Sequence, residues 1–125
     1  MPRKPSRELT EAELRLMKIL WNNGPGTVGE IVDALDTEPP LAYNTVLTTL
    51  RILETKGYVQ HKKEGRAFVY EPAVARDEAS TGAVGHLLSR FFNNSPELLF
   101  ASLLKDERIG RKELNRLKRL IAERE

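Results

Sequence analysis

Asn44, Thr48, Arg51 and Thr55 recur at the i, i+4, i+7, i+11 spacing that lines up side chains along one face of a helix. Thr45 and Thr49 stand beside them, also away from the apolar positions Val46, Leu47, Leu50 and Leu53. An amide, methyl-bearing hydroxyls and a guanidinium are groups that read base-pair edges in a major groove. Asparagine matches adenine, arginine serves guanine or a phosphate, and threonine brings a hydroxyl together with a methyl that packs on thymine. Threonine is a mediocre helix former, so a Thr48-Thr49 pair on an exposed face is an odd choice for stability alone. Many helices carry threonines without such a task, however, and the stripe has to be weighed with its surroundings. Lys62, Lys63 and Arg66 flank a predicted hairpin turn, where they suit a phosphate backbone or simply solubilise an exposed edge. Tyr43 suits either stacking on a nucleic-acid backbone or packing beneath the helix. His61 reads as a strand residue touching the core, and Arg3 and Lys4 as either a groove-seeking arm or a disordered basic tail.

Other chemistries find little support. The 125 residues include no cysteine, which removes disulfides, thiol nucleophiles and cysteine metal sites and fits a reducing cytoplasm. The two histidines, His61 and His86, are too few and too far apart in sequence for a metal cage. No glycine-rich phosphate loop or nucleophile elbow is present, and Asp106-Glu107 reads as helix-end charge. An enzyme, a metal site or a cofactor is therefore not expected. No apolar run approaches the ~20 residues of a membrane helix, and the start of the chain has no signal-peptide core. The expected location is cytoplasmic. The net charge of +2 hides an uneven distribution. Residues 8–40 carry two basic and seven acidic groups, whereas residues 41–70 carry five basic and two acidic. A polyanion would be attracted to one edge of this half and repelled from the other, although a mixed surface would look similar.

The elements that must position these residues can be read from capping and periodicity. After a basic arm over residues 1–8, Thr10 with Glu13 forms a capping box, Leu9 and Leu14 a hydrophobic staple, and Leu14, Met17, Leu20 and Trp21 an apolar face. Asn22-Asn23-Gly24-Pro25 stops this helix. Thr27 with Glu30 starts a short second helix carrying Ile31, Val32 and Leu35, and Pro39-Pro40 breaks the chain again. The third helix runs from about Leu41 to Lys56 and ends at Gly57. Residues 58–63 and 66–71 then change to a strand period, with Glu64-Gly65 as the turn. Three helices followed by a hairpin is the order of a winged helix-turn-helix, ending at Pro72.

Residues 73–125 predict three more helices, about 74–92, 96–104 (behind the Ser95-Pro96 start signal) and from Gly110 onward. They are too short to bury much apolar surface alone. Leu98, Leu99, Phe100, Leu103 and Leu104 form a cluster wider than one helix stripe. Either these helices fold back on the first domain or a second copy covers them. The second option is favoured because two-fold dimers are the commonest assemblies, and its candidate residues are Leu87, Leu88, Phe91, Leu98, Leu99, Leu103, Leu114, Leu117 and Ile121. The expected architecture is mainly α with a small β-hairpin wing: a DNA-binding domain over 1–72 and a helical dimerisation domain over 73–125.

The run from Leu9 to Leu14, Ile19-Leu20-Trp21, the block from Leu41 to Leu50, and Leu53-Glu54-Thr55-Lys56-Gly57-Tyr58 closely resemble the BlaI/MecI penicillinase-repressor family. The segment from Gly65 to Tyr70 and the apolar C-terminal helices continue the likeness over nearly the whole chain. The resemblance implies a dimeric repressor on dyad-symmetric operator DNA, often controlling β-lactam resistance or envelope-stress genes. It also implies a membrane sensor-peptidase that inactivates the repressor by cutting its C-terminal domain. The family's cut falls at an Asn-Phe bond, whereas the aligned bond here is Ser102-Leu103. The cysteine cluster of the family's copper-responsive branch is absent. Two rival readings are a winged-helix module that docks a protein and a regulator with a small-molecule pocket between subunits.

Overall fold

The computed structural model describes residues 8–35 and 41–124; Arg3 and Lys4 of the basic arm and the Pro39-Pro40 break lie outside the described residues. The elements are α1 (Glu11–Asn23), β1 (Gly26–Thr27), α2 (Val28–Ala34), α3 (Tyr43–Lys56), β2 (Val59–Glu64), β3 (Ala67–Pro72), α4 (Arg76–Phe91), α5 (Pro96–Lys105) and α6 (Arg111–Arg124). This is the expected mainly α fold with a small β wing.

Both capping boxes form. The Thr10 hydroxyl accepts the Glu13 amide at 3.1 Å, and Glu13 Oε1 accepts the Thr10 amide at 2.8 Å. Thr27 and Glu30 repeat this at 3.1 and 2.9 Å at the start of α2. Each box satisfies two amides that a helix start leaves unpaired. The buried face of α1 is Glu13, Leu16, Met17 and Leu20. Leu16, which the expected face omitted, is fully buried, while Leu14 and Trp21 sit half-buried at its flank. On α3 the core takes Val46, Thr49, Leu50 and Leu53, and Leu47 is only half-buried. The buried arc is thus turned toward α1, where Lys56, on the same flank as Thr49, reaches Glu13 at 2.8 Å.

Gly57 ends α3 with φ 91°, and the Tyr58 amide still donates to the Leu53 carbonyl at 2.9 Å. Tyr58 therefore belongs to the helix-terminating turn, and β2 begins one residue later than expected. The register Glu64↔Ala67 leaves Gly65-Arg66 as the two loop residues, correcting the expected Glu64-Gly65 turn. Gly65 takes φ 61° at the first loop position while Arg66 does not have positive φ, the pattern of a type II′ hairpin. The sheet order is β1-β3-β2, with Gly26↔Tyr70 and Thr27↔Val69 joining β1 to β3. Two residues are too short to show a strand period, so β1 had no sequence signal.

The described residues divide into two compact units, one ending at Ala83 and one beginning at Val84. The first has the core just outlined, completed by Val28, Ile31, Tyr58, Val59, Tyr70 and Val74. Contacts of this unit continue past Pro72, the expected boundary. Val74 is buried, Ala79 packs on the core, and the Val74 carbonyl accepts the Trp21 Nε1 proton at 2.8 Å. In the second unit, Ser95 caps α5 by accepting the Leu98 amide at 3.2 Å, with Pro96 at the first helical position. Asn93 and Asn94, at φ 51° and 58°, turn the chain between α4 and α5, a backbone region that asparagine tolerates better than most residues. Among the described residues no helix is long and apolar enough to cross a membrane, and no three His, Asp or Glu side chains converge as metal ligands.

Candidate nucleic-acid interface

With Val46, Leu50 and Leu53 turned into the core, helical geometry sends the stripe Asn44, Thr48, Arg51 and Thr55 outward, and all four are exposed. Thr45 is exposed on one flank of this stripe. On the other is Tyr43, 54% exposed, which leaves the side chain free rather than packed beneath α3. Asn44 and Thr48 make no side-chain hydrogen bond to the described residues. The Thr55 hydroxyl donates back to the Arg51 carbonyl at 3.0 Å.

Thr49 is a correction. It is 8% exposed, and its hydroxyl donates to the Thr45 carbonyl at 2.8 Å. The expected exposed pair of threonines is therefore one exposed threonine and one core threonine. The reason lies in the 100° turn between neighbours, which carries Thr49 round to the buried side of α3 with Leu50 and Leu53. In its place Ile52, one turn after Thr48, is an exposed apolar side chain on this surface. Sequence reading missed it, although its i+4 spacing from Thr48 was a usable signal.

The wing sorts its cations by face. Alternation along β2 puts His61 and Lys63 on the side facing α3, with Tyr70 and Phe68 across from them. Lys62 points to the opposite side, where its Nζ is 3.4 Å from Glu71. It thus stands on the other face of the ribbon from Lys63. Arg66 stands at the hairpin tip. Arg51, Lys63 and Arg66 make no ion pair with the described residues, and with Glu54 as the carboxylate among them this side keeps an excess of positive charge. His61 is not a simple core contact. Its Nδ1 lies 2.7 and 2.9 Å from the two Glu54 carboxylate oxygens, and its ring meets Phe68 edge-on and Tyr70 at a tilt, with centroids 5.0 and 5.4 Å away. Burial raises the Tyr70 hydroxyl above its ordinary pKa, and the Glu54 charge adds to this while Arg51 works against it.

No residue is fully buried in α4, within which the first unit ends and the second begins, or in α5 and α6 of the second unit. Of the candidate dimerisation residues, Leu87, Phe91, Leu98 and Ile121 are exposed, and Leu88, Leu99, Leu103, Leu114 and Leu117 are half-buried. Phe91 is 68% and Leu104 67% exposed. Ser102 and Leu103 lie within α5, the first exposed and the second half-buried.

The Penicillinase repressor of Bacillus licheniformis is 28% identical over 116 residues, spanning 93% of this chain and 91% of that protein. The transcriptional regulator BlaI of Mycobacterium tuberculosis is 34% identical over 118 residues, spanning 94% of this chain and 85% of that protein. A solution structure of monomeric Bacillus licheniformis BlaI in complex with the blaP half-operator superposes with a TM-score of 0.50 at 32% identity, over 62% of this chain and 93% of that one. The family model for the penicillinase repressor runs across residues 9–123, and with both units of the chain included in that match, the protein belongs to the penicillinase repressor family.

Proposed function

We propose that this protein is a transcriptional repressor that binds a dyad-symmetric DNA operator as a homodimer. Each subunit lays α3 in a major groove, with Asn44, Thr48 and Arg51 toward base edges and Lys63 and Arg66 of the wing toward phosphates. The observation that carries this reading is the outward stripe of α3. The Asn44 amide, the Thr48 hydroxyl and the Arg51 guanidinium have no side-chain partner among the described residues, and they lie beside Lys63 and Arg66 of the wing, which make no ion pair among those residues. The half-operator complex of the related BlaI supports it. The exposed Leu87, Phe91, Leu98 and Ile121 are the surface on which a second copy would close. Two half-sites would then lie about 34–36 Å apart or a multiple of that.

Occupying the operator excludes polymerase, and derepression follows when the dimer is lost. A membrane sensor-peptidase that cut Ser102-Leu103 would detach the last three residues of α5 and all of α6, removing Leu114, Leu117 and Ile121 from the subunit contact. By analogy with the related penicillinase repressor, the regulated genes are those of β-lactam resistance.

The test is selection of bound duplexes from a random-sequence library by the full-length protein, followed by affinity against salt. The expected result is an enriched inverted repeat whose affinity falls as a steep power of salt, with a log–log slope of about −0.9 per phosphate contacted. Recovery of no enriched sequence and no salt-dependent retention would overturn the assignment and favour a protein-docking winged helix.

A further inference from the structure

We propose that the His61–Glu54 pair is a positioning contact that holds the wing at a fixed angle to α3, so that helix and wing tip engage DNA together. The proposal rests on the reading of α3 and the wing as the DNA-binding surface and assigns a role to two residues that do not themselves touch DNA.

Three observations lead to it. The first is where the core ends. Tyr70, directly across from His61, is buried, whereas the rungs farther out pair Lys62 with Val69, Lys63 with Phe68 and Glu64 with Ala67. Of these six residues only Val69 is even half-buried. A two-stranded ribbon without a packed face is marginal by itself, so the direction of the tip depends on what grips it at the last supported rung. His61 occupies that rung.

The second is the geometry of the grip. Glu54 stands in the final turn of α3, three residues beyond Arg51 of the outward stripe. Both of its oxygens lie within hydrogen-bond distance of the one His61 nitrogen. The imidazole is also held by two rings of β3, Phe68 edge-on and Tyr70 at a tilt. Helix, first wing strand and second wing strand thus meet in one side chain.

The third is the sign of the charge. Glu54 faces His61 from α3, Tyr70 does so from β3, and Lys63 follows on the same face of β2. Arg51, Lys63 and Arg66 give this side its attraction for a polyanion. A carboxylate among them weakens that attraction, and a positional task accounts for its presence.

Glu54→Gln removes a negative group, so by electrostatics alone it tightens DNA binding. As part of a positioning contact it weakens binding instead, by about three- to tenfold, for a partly exposed charge-assisted bond. The salt slope should also fall by about 1–2 as Lys63 and Arg66 lose their phosphates. His61→Gln should do the same, and the double variant should be no worse than either single one, because both remove one interaction. The probe is the duplex enriched by the wild-type protein from the random library. A second measurement needs no DNA: amide hydrogen exchange at Glu64 and Ala67, the pair that closes the hairpin, should quicken in both variants while α1 and α3 stay protected. Glu54→Gln that binds as tightly as wild type or tighter overturns the positioning role alone. Wild-type protein that retains no duplex overturns the DNA reading on which it rests, a separate and recognisable failure.

Discussion

A hydroxyl that already donates to a backbone carbonyl has no proton left to offer a base edge. Thr49 is in that state, bonded to Thr45 and covered by the core, while Thr48, one residue earlier, is exposed and makes no such bond. Valine replaces a threonine hydroxyl by a methyl and nearly preserves shape, so the two positions can be compared by one chemical change. Thr48→Val should lower affinity for the selected duplex about tenfold, the lower end of what one base-edge contact contributes, and leave thermal stability within about 0.5 kcal/mol. Thr49→Val should leave DNA affinity unchanged, with any effect confined to the melting temperature. Titration of both variants against the same labelled duplex checks this. Equal losses at both positions would mean that the helix presents a different face.

At the scale of elements, α1 and α3 are joined by one carboxylate. Glu13 Oε1 accepts both the Thr10 amide that starts α1 and the Lys56 ammonium from the last turn of α3, each at 2.8 Å. Burial pushes the Glu13 carboxyl upward, yet the hydrogen bonds from Lys56 and Thr10 outweigh it and hold the group below its ordinary range. A folded-state pKa below the unfolded one gives stability that is present above the usual glutamate value of about 4.3 and is lost as pH falls through the lowered folded value. Glu13→Gln should therefore cost about 1–3 kcal/mol at pH 7 and little in strong acid. Denaturant titrations of both proteins at several pH values check this, and a constant difference down to low pH would contradict it. The capping half of this arrangement was legible in sequence, because Thr10 and Glu13 stand at the required spacing. The Lys56 half was not, because the partners are 43 residues apart and meet only through packing. The same limit explains the other differences. Helix caps, the apolar stripe of α3 and the glycine of the wing are local signals. The pairing of β1 and the burial of Thr49 depend on which neighbour covers which flank, whereas the division of Lys62 from Lys63 follows from strand alternation.

For the whole molecule, exposure of apolar side chains separates an assembly defect from a folding defect. Phe91 and Ile121 are more than half exposed in the single chain, so replacing them with aspartate removes little packing from the subunit itself. The same charges placed in a closed subunit contact would be buried without partners, which a contact of this size does not withstand. Phe91→Asp combined with Ile121→Asp should convert a dimer to a monomer in sedimentation, with helix content and cooperative melting retained. Affinity for one isolated half-site should be unchanged, because α3 and the wing are untouched. Affinity for the complete inverted repeat should fall by about 10²–10⁴, the factor that a tethered second site contributes through effective concentration. The ratio of those two affinities is the informative quantity, since only loss of coupling between half-sites changes one without the other. A variant that still sediments as a dimer would move the subunit contact away from these helices, and a wild-type protein with equal affinity for one and two half-sites would remove dimerisation from the mechanism.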